Sequence, residues 1–303
     1  MPEPAPVPPA ARCGTVALVG RPNVGKSTLL NALIGWRLSI AGPKPQTTRH
    51  RILGVRTCEQ GQILFLDTPG LHRGGARALN RQLNRAARRA IGEADVVVQI
   101  AEAGRWTGED EAVYEAVAES TRPRLLVLNK VDTQKDKARL LPFIADVSAA
   151  HSFGAVYLVS ARRHDGLKEL ENGIFALLPE APPVFGADQI TDRNERFLAA
   201  ELVREQVMLQ LAQELPYSTA VEIEDFQDRG DRSRIEATIW VEREGQKAIV
   251  IGAGAARLKA IGMAARRAME HLFERRVDLR LHVKVTENWS DDTGALRRFG
   301  YAE

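Results

Sequence analysis

An eight-residue segment near the start of this chain restricts its possible folds more than any other feature. The segment reads Gly-Arg-Pro-Asn-Val-Gly-Lys-Ser, follows a short apolar run and opens a helical pattern. A glycine-rich turn between a strand and a helix points main-chain N–H groups and the positive end of the helix at an anion. An ordinary strand-to-helix turn is the alternative, but the pattern and its context agree. We predict a phosphate loop made of Gly20, Arg21, Pro22, Asn23, Val24, Gly25, Lys26, Ser27 and Thr28.

A second segment, at the end of the third strand-like run, indicates where Mg²⁺ would be held. In isolation Asp-Thr-Pro-Gly is simply a good turn sequence. At a strand end after a phosphate loop, its carboxylate can reach the metal through water, and Gly70 can donate its N–H to a γ-phosphate. Lys26 would neutralise the outer phosphates, and the Ser27 hydroxyl would ligate Mg²⁺. This predicts Ser27 and Asp67 as magnesium residues and a second switch made of Asp67, Thr68, Pro69, Gly70 and Leu71.

A third segment, after the fifth strand-like run, bears on the choice of base. The Asp132 carboxylate can accept hydrogen bonds from both N1–H and the N2 amine of guanine. Adenine lacks that donor pair, so ATP would leave the acid unpaired at a cost of roughly a few kcal/mol. The dipeptide after the sixth run resembles the loop that covers the base in such proteins, although it proves nothing alone. The predicted guanine-binding residues are Asn129, Lys130, Val131, Asp132, Ser160 and Ala161.

Two threonines and one leucine bear on switching and hydrolysis. Thr47 and Thr48 lie in an irregular segment rich in Gly and Pro, which we expect to be a mobile switch. One hydroxyl would ligate Mg²⁺ only when a γ-phosphate is present. Thr48 is favoured, with Thr47 or a solvated turn as alternatives. Leu71 occupies the place of the water-orienting glutamine of Ras-like enzymes, which predicts slow intrinsic hydrolysis and a partner that completes the site.

Short apolar runs alternate with helical patterns through the first 180 residues. This order is typical of a mostly parallel sheet covered by helices. We therefore predict an α/β P-loop GTPase domain, with a mixed sheet and helices on both faces. The predicted strands are 15–19, 51–56, 62–66, 95–101, 124–128 and 155–159, and the predicted helices are 26–34, 77–91, 110–119, 136–150 and 167–178.

Length and composition indicate two domains. A chain of 303 residues with 44% hydrophobic residues exceeds the usual size of one domain. Pro179, Pro182 and Pro183 interrupt the last helical pattern and mark a boundary. The first residues lack a basic start and an apolar stretch, so we expect a disordered tail rather than a secretion signal. The predicted ranges are a tail over 1–12, a GTPase domain over 13–180, a linker over 181–190 and a small α+β domain over 191–303.

The second domain contains a glycine-rich segment between two helical patterns. The predicted order is helix 192–214, strands 219–226 and 234–242, two helices and strand 278–285, which suits a type II KH domain. In KH domains such a glycine loop clamps single-stranded RNA backbone. Ile251, Leu258 and Ile261 would form a base-facing groove. A plain amphipathic helix with a solvated basic face is the alternative. The predicted RNA-binding residues are Ile251, Gly252, Gly254, Ala255, Arg257, Lys259, Ile261, Gly262 and Arg266.

A series of motifs over about residues 13 to 301 resembles, in its order, that of the bacterial Era family. The motifs are the phosphate loop, Gln46-Thr47-Thr48-Arg49-His50, Asp67 to His72, Asn129-Lys130-Val131-Asp132, Pro216-Tyr217-Ser218 and the KH-type segment. The resemblance implies a GTPase whose KH domain binds the 3′ end of 16S ribosomal RNA and assists maturation of the small ribosomal subunit. It also implies a cytoplasmic protein, with peripheral contact with the inner membrane surface in some members. A monomer is expected.

Two positions bear on how the resemblance applies to this chain. The family loop is Gly-x-x-Gly with a basic residue inside, whereas this chain has Gly252-Ala253-Gly254-Ala255. If position 255 requires a positive φ, alanine costs about 1 kcal/mol there, and the missing basic residue removes a phosphate contact. Asn23 lies where related GTPases are thought to hold K⁺ beside the phosphates, and a loop-shaping role is the alternative.

Other functions are compatible with some of the same motifs. A GTP-gated RNA-binding scaffold with incidental hydrolysis, or a related GTPase acting on another RNA, would share both domains. A tRNA-modifying or membrane-transport GTPase would share the first domain and give no reason for a KH segment. Net charge is only +3, but a basic stretch from Arg257 to Lys284 lies within a more acidic second half. Cys13 and Cys58 match neither a disulfide framework nor a metal site.

Overall fold

Contacts divide the chain into two units, each with its own core. The computed structural model describes residues 11–42, 44, 47–71, 78–211 and 215–301. The first unit comprises the described residues of Met1–Leu38, Arg51–Arg73 and Ala86–Asp192, and the second comprises those of Ser39–His50, Gly74–Arg85 and Arg193–Glu303. Predictions for residues 1–10, Gln46, His72, Arg77 and positions 212–214 lie outside the described residues.

The first unit alternates strands and helices, as its sequence predicts. The strands and the first, third, fourth and fifth helices lie wholly within it, whereas α2 starts in the second unit and ends in the first. The elements are β1 Arg12–Val19, α1 Lys26–Ile34, β2 Ile52–Cys58, β3 Gly61–Asp67, α2 Ala78–Glu93, β4 Val96–Glu102, α3 Gly108–Ala118, β5 Arg124–Asn129, α4 Leu140–Ala150, β6 Ala155–Val159 and α5 Leu167–Leu177.

The six strands form one sheet in the order β2-β3-β1-β4-β5-β6. All neighbouring pairs are parallel except β2 and β3. The central strands are buried on both faces, which explains why β3 and β4 read as nearly continuous apolar runs. Because the parallel strands run the same way, their carboxyl ends meet at one edge, where ligands bind in open α/β sheets.

Two predicted helices are shorter in the structure, and in both cases a capping residue explains the difference. The helix predicted over 136–150 begins at Leu140, after a 3₁₀ turn at Lys137–Arg139 in which Asp136 accepts the N–H of Ala138. The helix predicted over 192–214 is α6, Glu195–Gln210, because the Asn194 side chain accepts the N–H of Phe197 and caps it.

Residues after the predicted boundary prolines are hydrogen-bonded along β2 and β3. The main-chain N–H groups of Val184 and Phe185 both donate to Gln62 Oε1 at 2.9 Å. The Thr191 hydroxyl donates to the Leu53 carbonyl at 2.7 Å. These residues therefore group with the first unit as far as Asp192.

The second unit pairs a three-stranded sheet with helices in the predicted order. Strand β8 lies in the middle, antiparallel to β7 and parallel to β9. Trp240, Trp289, Phe299 and Tyr301 form much of an aromatic core, which also contains Leu83 of α2. Helix α9 was not predicted. The remaining elements are β7 Thr219–Asp228, β8 Arg232–Val241, α7 Glu244–Ile251, α8 Ala256–Phe273, β9 Arg276–Val285 and α9 Thr293–Arg298.

Within the described residues, no single helix has the length and apolar character needed to cross a membrane. One bent pair, Glu244–Ile251 with Ala253–Phe273, meets the criterion by length and composition only, which is weak evidence for a span.

Candidate functional site

The phosphate loop follows β1 and ends where α1 begins. Its backbone turns through positive φ at Asn23 (66°) and Gly25 (98°). Lys26 Nζ donates to the Gly20 and Arg21 carbonyls at 3.0 Å each. Burial lowers the pKa of Lys26 to about 8, although Asp67 raises it in part. Burial disfavours the charged form of Lys26. A phosphate placed in the loop would favour the ammonium form, because a nearby anion stabilises a positive charge.

Asn129 joins three loops of the site. Its Nδ2 donates to the Val24 carbonyl at 2.9 Å, and its Oδ1 accepts the N–H of Ala161 at 3.1 Å. A Cβ on Gly25 would lie 2.3 Å from Asn129 Nδ2, so only glycine fits there. The sequence predicted Asn129 as a base contact; the structure also makes it the residue that positions the phosphate loop against the base loops.

The magnesium residues predicted in the first unit lie together. Ser27 Oγ donates to Asp67 Oδ2 at 3.0 Å, and both residues are buried. The Thr68 hydroxyl holds the turn in place by donating to the Leu18 carbonyl at 2.8 Å. Hydroxyl and carboxylate oxygens are ligands that Mg²⁺ prefers, and Mg²⁺ usually takes one or two protein ligands plus phosphates and water. The residues present therefore fit this metal.

Gly70 of the second switch lies against the phosphate loop. A Cβ at this position would come within 3.0 to 3.2 Å of Pro22. The close approach leaves room for a main-chain N–H but not for a side chain. Leu71 is buried in a core cluster with Ala17, Val19 and Ala87, so its side chain packs into the unit and does not orient water, in agreement with the sequence argument.

The Asp132 carboxylate, predicted to read the base, is held by a hydroxyl. Ser160 Oγ donates to Asp132 Oδ1 at 2.6 Å. This hydrogen bond holds the pKa of Asp132 below its ordinary value, with smaller contributions from Arg163 and Arg162. Lys130 adopts a positive φ of 65°, and its Nζ lies 3.4 Å from Glu102 Oε2. An ionised Asp132 offers the paired acceptors that guanine requires.

Sequence reasoning missed an ion-pair network beneath the phosphate loop. Arg21 Nε donates to both oxygens of Asp110, at 3.1 and 3.0 Å, and Arg21 Nη2 lies 3.2 Å from Glu102. Asp110 also forms a capping box with Thr107 at the start of α3. The Thr-x-x-Asp pattern signals a helix start, but no local pattern links it to Arg21. The network fixes the loop to the β4–α3 connection.

The two switch threonines belong to the second unit. Thr48 is buried, and the Thr47 carbonyl accepts a hydrogen bond from Arg204 Nη2. The next residue, Arg49, donates to the Thr219 carbonyl at 2.6 Å and to the Pro216 and Tyr217 carbonyls at 3.0 Å each. The assignment of Thr48 to Mg²⁺ stays a prediction.

The glycine-rich loop of the second unit requires positive φ at three positions. Gly252 has φ 73°, Gly254 has φ 55° and Ala255 has φ 61°. A Cβ on Gly252 would lie 2.9 Å from the Cβ of Arg257. Ala255 therefore meets the condition for strain stated from the sequence, because an L-residue with a Cβ is disfavoured in this conformation.

The prediction for one residue of the base-facing groove is wrong. Ile261 is fully buried and packs inside the unit, so it is not available to line a groove. Ile251 and Leu258 are half-buried. The exposed apolar side chains near this loop are Ile249 (49%) and Met263 (45%), which the sequence analysis did not select.

The predicted phosphate-contacting residues are exposed on α8. Arg257 Nη1 donates to the Ile249 carbonyl at 2.7 Å, and Arg266 lies 4.0 Å from Glu270. Lys259 is exposed, and a Cβ on Gly262 would lie 3.4 Å from Leu281 Cδ1. The basic groups thus flank the glycine loop without being buried.

Comparison with known proteins agrees with this geometry. Residues 15–130 match a family model described as 50S ribosome-binding GTPase, and residues 214–290 match a KH domain model. GTPase Era of Stenotrophomonas maltophilia is 55% identical over 289 residues, covering 95% of this chain and 97% of that protein. This chain belongs to the Era family of GTPases. GTPase Era of Xanthomonas oryzae is 56% identical over 96% of this chain and 97% of its own length.

Solved Era structures share the fold over nearly the whole chain. A single-residue variant of Aquifex aeolicus Era bound to GDP·AlF4⁻ has a TM-score of 0.94 and 39% identity, covering 96% of this chain and all of its own. An Era complex with MgGDPNP and nucleotides 1506–1542 of 16S ribosomal RNA has a TM-score of 0.94 and 38% identity, covering 97% and 100%. The predicted fold, a P-loop GTPase domain followed by a KH domain, is confirmed.

Removing the Ser160 hydroxyl tests how Asp132 is held. Since this hydroxyl lowers the pKa of Asp132, Ser160→Ala should raise that pKa and shift the acid limb of GDP affinity to higher pH. Calorimetric GDP titrations between pH 4 and 7 would measure the shift, and we also expect about a three- to tenfold loss at pH 7. Ser120→Ala, which removes a hydroxyl from an exposed turn, is the control. An unchanged pH profile in Ser160→Ala would contradict the assigned role.

Proposed function

We propose that this chain is a GTP-hydrolysing switch that binds 16S ribosomal RNA near its 3′ end and assists assembly of the small ribosomal subunit. One observation carries the proposal: the phosphate loop, the Asp132–Ser160 pair and the KH domain occur in one chain that aligns with Era proteins over 95% of its length. The Era complex with a 16S fragment supports the choice of RNA. The proposed location of the protein is the cytoplasm, where subunits are assembled. Peripheral membrane contact is supported only by the family resemblance.

The nucleotide would be held by this chain's own groups in defined positions. Lys26 and the loop amides would bind the outer phosphates, and Asp132 would bind the guanine edge. Ser27 and Asp67 would hold Mg²⁺, which would supply positive charge to the phosphate oxygens when bound. Asn129 would maintain the spacing between phosphate and base sites. Catalysis would rest on positioning and electrostatics rather than on a covalent group.

Slow intrinsic hydrolysis follows from the packing of Leu71. Its side chain is buried, and a leucine has no group that orients a water molecule. A partner that completes the site would then control the lifetime of the GTP state, which suits a timed assembly factor. The scaffold alternative differs because it does not need turnover.

Calorimetry and crosslinking together test the proposal. GDP or GTP with Mg²⁺ should bind with measurable heat, and ATP should not. Crosslinking to a 16S 3′-end fragment should differ between GTP and GDP. If GDPNP supports 16S maturation over repeated rounds as well as GTP does, the scaffold alternative is correct. Absence of any heat with GDP or GTP would refute the nucleotide assignment.

We also propose that Asn23 holds K⁺ beside the phosphates, supplying charge that an arginine finger provides elsewhere. Asn23 lies in the phosphate loop at a positive φ of 66°. The proposal predicts that GTP turnover is about tenfold faster in K⁺ than in Na⁺ buffer of equal ionic strength, because the ion would stabilise the transition-state charge. The measurement is phosphate release, and Asn23→Ala should remove the difference. Equal rates in both salts would leave Asn23 as a loop-shaping residue.

The strained KH loop gives a prediction about RNA affinity. Ala255→Gly should relieve the positive-φ strain, worth about 1 kcal/mol in loop stability. Adding Gly254→Lys puts a side chain at φ 55° and so brings back strain of similar size, but it should place a new positive charge at the phosphates and steepen the salt dependence of RNA binding by close to one phosphate contact. Titrations of the 16S fragment against salt concentration measure both effects. A double variant with the wild-type slope would contradict the phosphate contact; Gly186→Lys, outside the KH unit, is the control for added charge.

A further inference from the structure

The second unit contains a cavity of about 380 Å³ that neither the GTP site nor the glycine loop uses. It lies along one face of α6, beside β7 and the carboxyl-terminal residues. Its volume is near the lower end of the ~300–1,000 Å³ range of small-molecule sites. The residues that matter for its chemistry are Arg193, Arg196, Phe197, Ala200, Arg204 and Tyr301.

The acidic groups that line the cavity are already neutralised. Glu201 accepts from Arg204 Nε at 2.8 Å and Nη2 at 2.6 Å. Glu222 accepts from Arg298 Nε at 3.0 Å and Nη2 at 2.8 Å. Each carboxylate is therefore matched by a bidentate guanidinium, and neither gives the cavity a net negative charge.

Positive charge is left at one end of the cavity. Arg196 Nη2 donates to the main-chain carbonyls of Ile223 and Glu224, which are uncharged partners. Across the described ranges, no acidic side chain pairs with Arg196. The arginine lies in the first turn of α6, where the helix dipole also favours an anion, and Asn194 there already accepts the N–H of Phe197. This end of the cavity suits a phosphate group.

A buried hydrogen-bond donor lies at the other end of the cavity. Arg204 is 1% exposed, and its Nη1 has no hydrogen-bond partner among the described residues. Eight residues of helix separate it from Arg196, a rise of about 12 Å. A lone phosphate cannot reach both ends, whereas an elongated ligand with an acceptor opposite its phosphate can.

Aromatic rings lie between and beside these two ends. Phe197 carries the Arg193 guanidinium 4.7 Å over its ring, and Tyr301 is stacked with His50 at 4.7 Å. The ring faces covered by these contacts are closed to a base, and Trp289 also stacks on Tyr301 at 6.0 Å, so a base in the cavity would contact the rings at their edges. A nucleotide presents a phosphate at one end and, beyond its sugar, a flat base that carries a carbonyl acceptor.

We propose that this cavity binds one nucleoside monophosphate unit, with the phosphate at Arg196 and the base toward Tyr301 and Arg204. The unit is either a free mononucleotide or one nucleotide of an RNA chain, since both present the same chemistry. This site is separate from the GTP site and from the glycine loop, and it does not depend on GTP hydrolysis.

The test uses the full chain loaded with GDP and Mg²⁺, so that the guanine site is filled. CMP is the free-nucleotide probe, because Asp132 discriminates against a pyrimidine, and the cytidine tetramer rC4 is the RNA probe. Equilibrium dialysis should show saturable binding of at least one probe. Arg196→Gln should weaken that binding about tenfold or more, whereas Arg196→Lys, which keeps the charge but not the guanidinium fork, should weaken it clearly less than Arg196→Gln does.

Two further variants separate binding from folding. Ala200→Leu keeps every charge and fills the cavity, so it should also weaken binding about tenfold. Arg280→Gln removes an exposed arginine of β9 away from the cavity and should bind as the wild type does. Loss confined to CMP identifies a free nucleotide as the ligand, and loss confined to rC4 identifies RNA. No saturable binding of either probe, or wild-type binding by both Arg196→Gln and Ala200→Leu, would overturn the proposal.

Discussion

Asp132→Asn should change the nucleotide preference of this chain from guanine to xanthine. We expect GDP and GTP affinity to fall about 100-fold or more, equivalent to roughly 2.7 kcal/mol, while XDP and XTP affinity rises above that for the guanine nucleotides. No other single substitution considered for the GTP site should have so large and so specific an effect.

The reason is the pairing of donors and acceptors at one edge of the base. The Asp132 carboxylate presents two acceptors, and guanine presents two donors there, N1–H and the N2 amine. An asparagine amide presents one acceptor and one donor, so one guanine donor would face an N–H group. Xanthine has a carbonyl in place of the N2 amine and matches the amide. Specificity based on paired polar groups is strong because a mismatch leaves them unpaired in the site.

Calorimetric titration with GDP, XDP and ADP in Mg²⁺ would measure this change. Asp136→Asn is the matched control, because Asp136 lies on an exposed turn of the same segment and should keep the preference for GDP. The variant also serves the RNA experiments: crosslinking that responds to XTP in Asp132→Asn and to GTP in the wild type would link the response to this site. A variant that still prefers GDP to XDP would show that Asp132 does not read the base.

Glu201→Gln should destabilise the second unit by about 3–5 kcal/mol. Glu201 and Arg204 are 5% and 1% exposed and share two hydrogen bonds. Removing the charge of one partner leaves the other as an uncompensated buried charge, which is the costly way to break such a pair. His50 Nδ1 also lies 3.5 Å from Glu201, so the substitution would disturb the residues that follow the switch threonines.

The same pair predicts a dependence on pH. Burial alone would raise the pKa of Glu201, but the charge and hydrogen bonds of Arg204, with the nearby His50, outweigh burial and hold the pKa far below its ordinary value of 4.5. A depressed pKa in the folded state adds stability above pH 4.5. That stability is lost as the pH falls below 4.5, because the unfolded chain takes up the proton first.

Urea unfolding between pH 3 and 7 would measure both effects, followed by hydrogen exchange in β7, β8 and β9 so that the second unit is observed. The wild type should lose stability below pH 4.5 more steeply than Glu201→Gln. Glu244→Gln, an exposed acid of α7, should change stability by less than about 0.5 kcal/mol. Equal stability of Glu201→Gln and Glu244→Gln at pH 7 would contradict the role given to the buried pair.

Where the predicted nucleotide-site segments lie in the fold was predictable from local sequence. The loop that contains Lys26, the turn after β3 and the tetrapeptide that ends at Asp132 each follow a strand, and parallel strands bring such loops to one edge of a sheet. Strand β6 and helix α1 have the predicted bounds. These features depend on contiguous residues whose spacing reflects helix and strand geometry, so a single sequence contains the information.

Other features depend on contacts between residues far apart in sequence, and these appear only in the folded chain. Asn129 bonds to Val24 across 105 positions, and Arg21 bonds to Asp110 across 89. Ile261 looked like a groove residue in sequence, but the packed unit buries it completely. Motifs and elements follow from local chemistry, which the order of residues specifies. Which polar groups meet, which apolar face is covered and where a cavity is left depend on how the elements pack, because packing joins side chains that no local pattern relates.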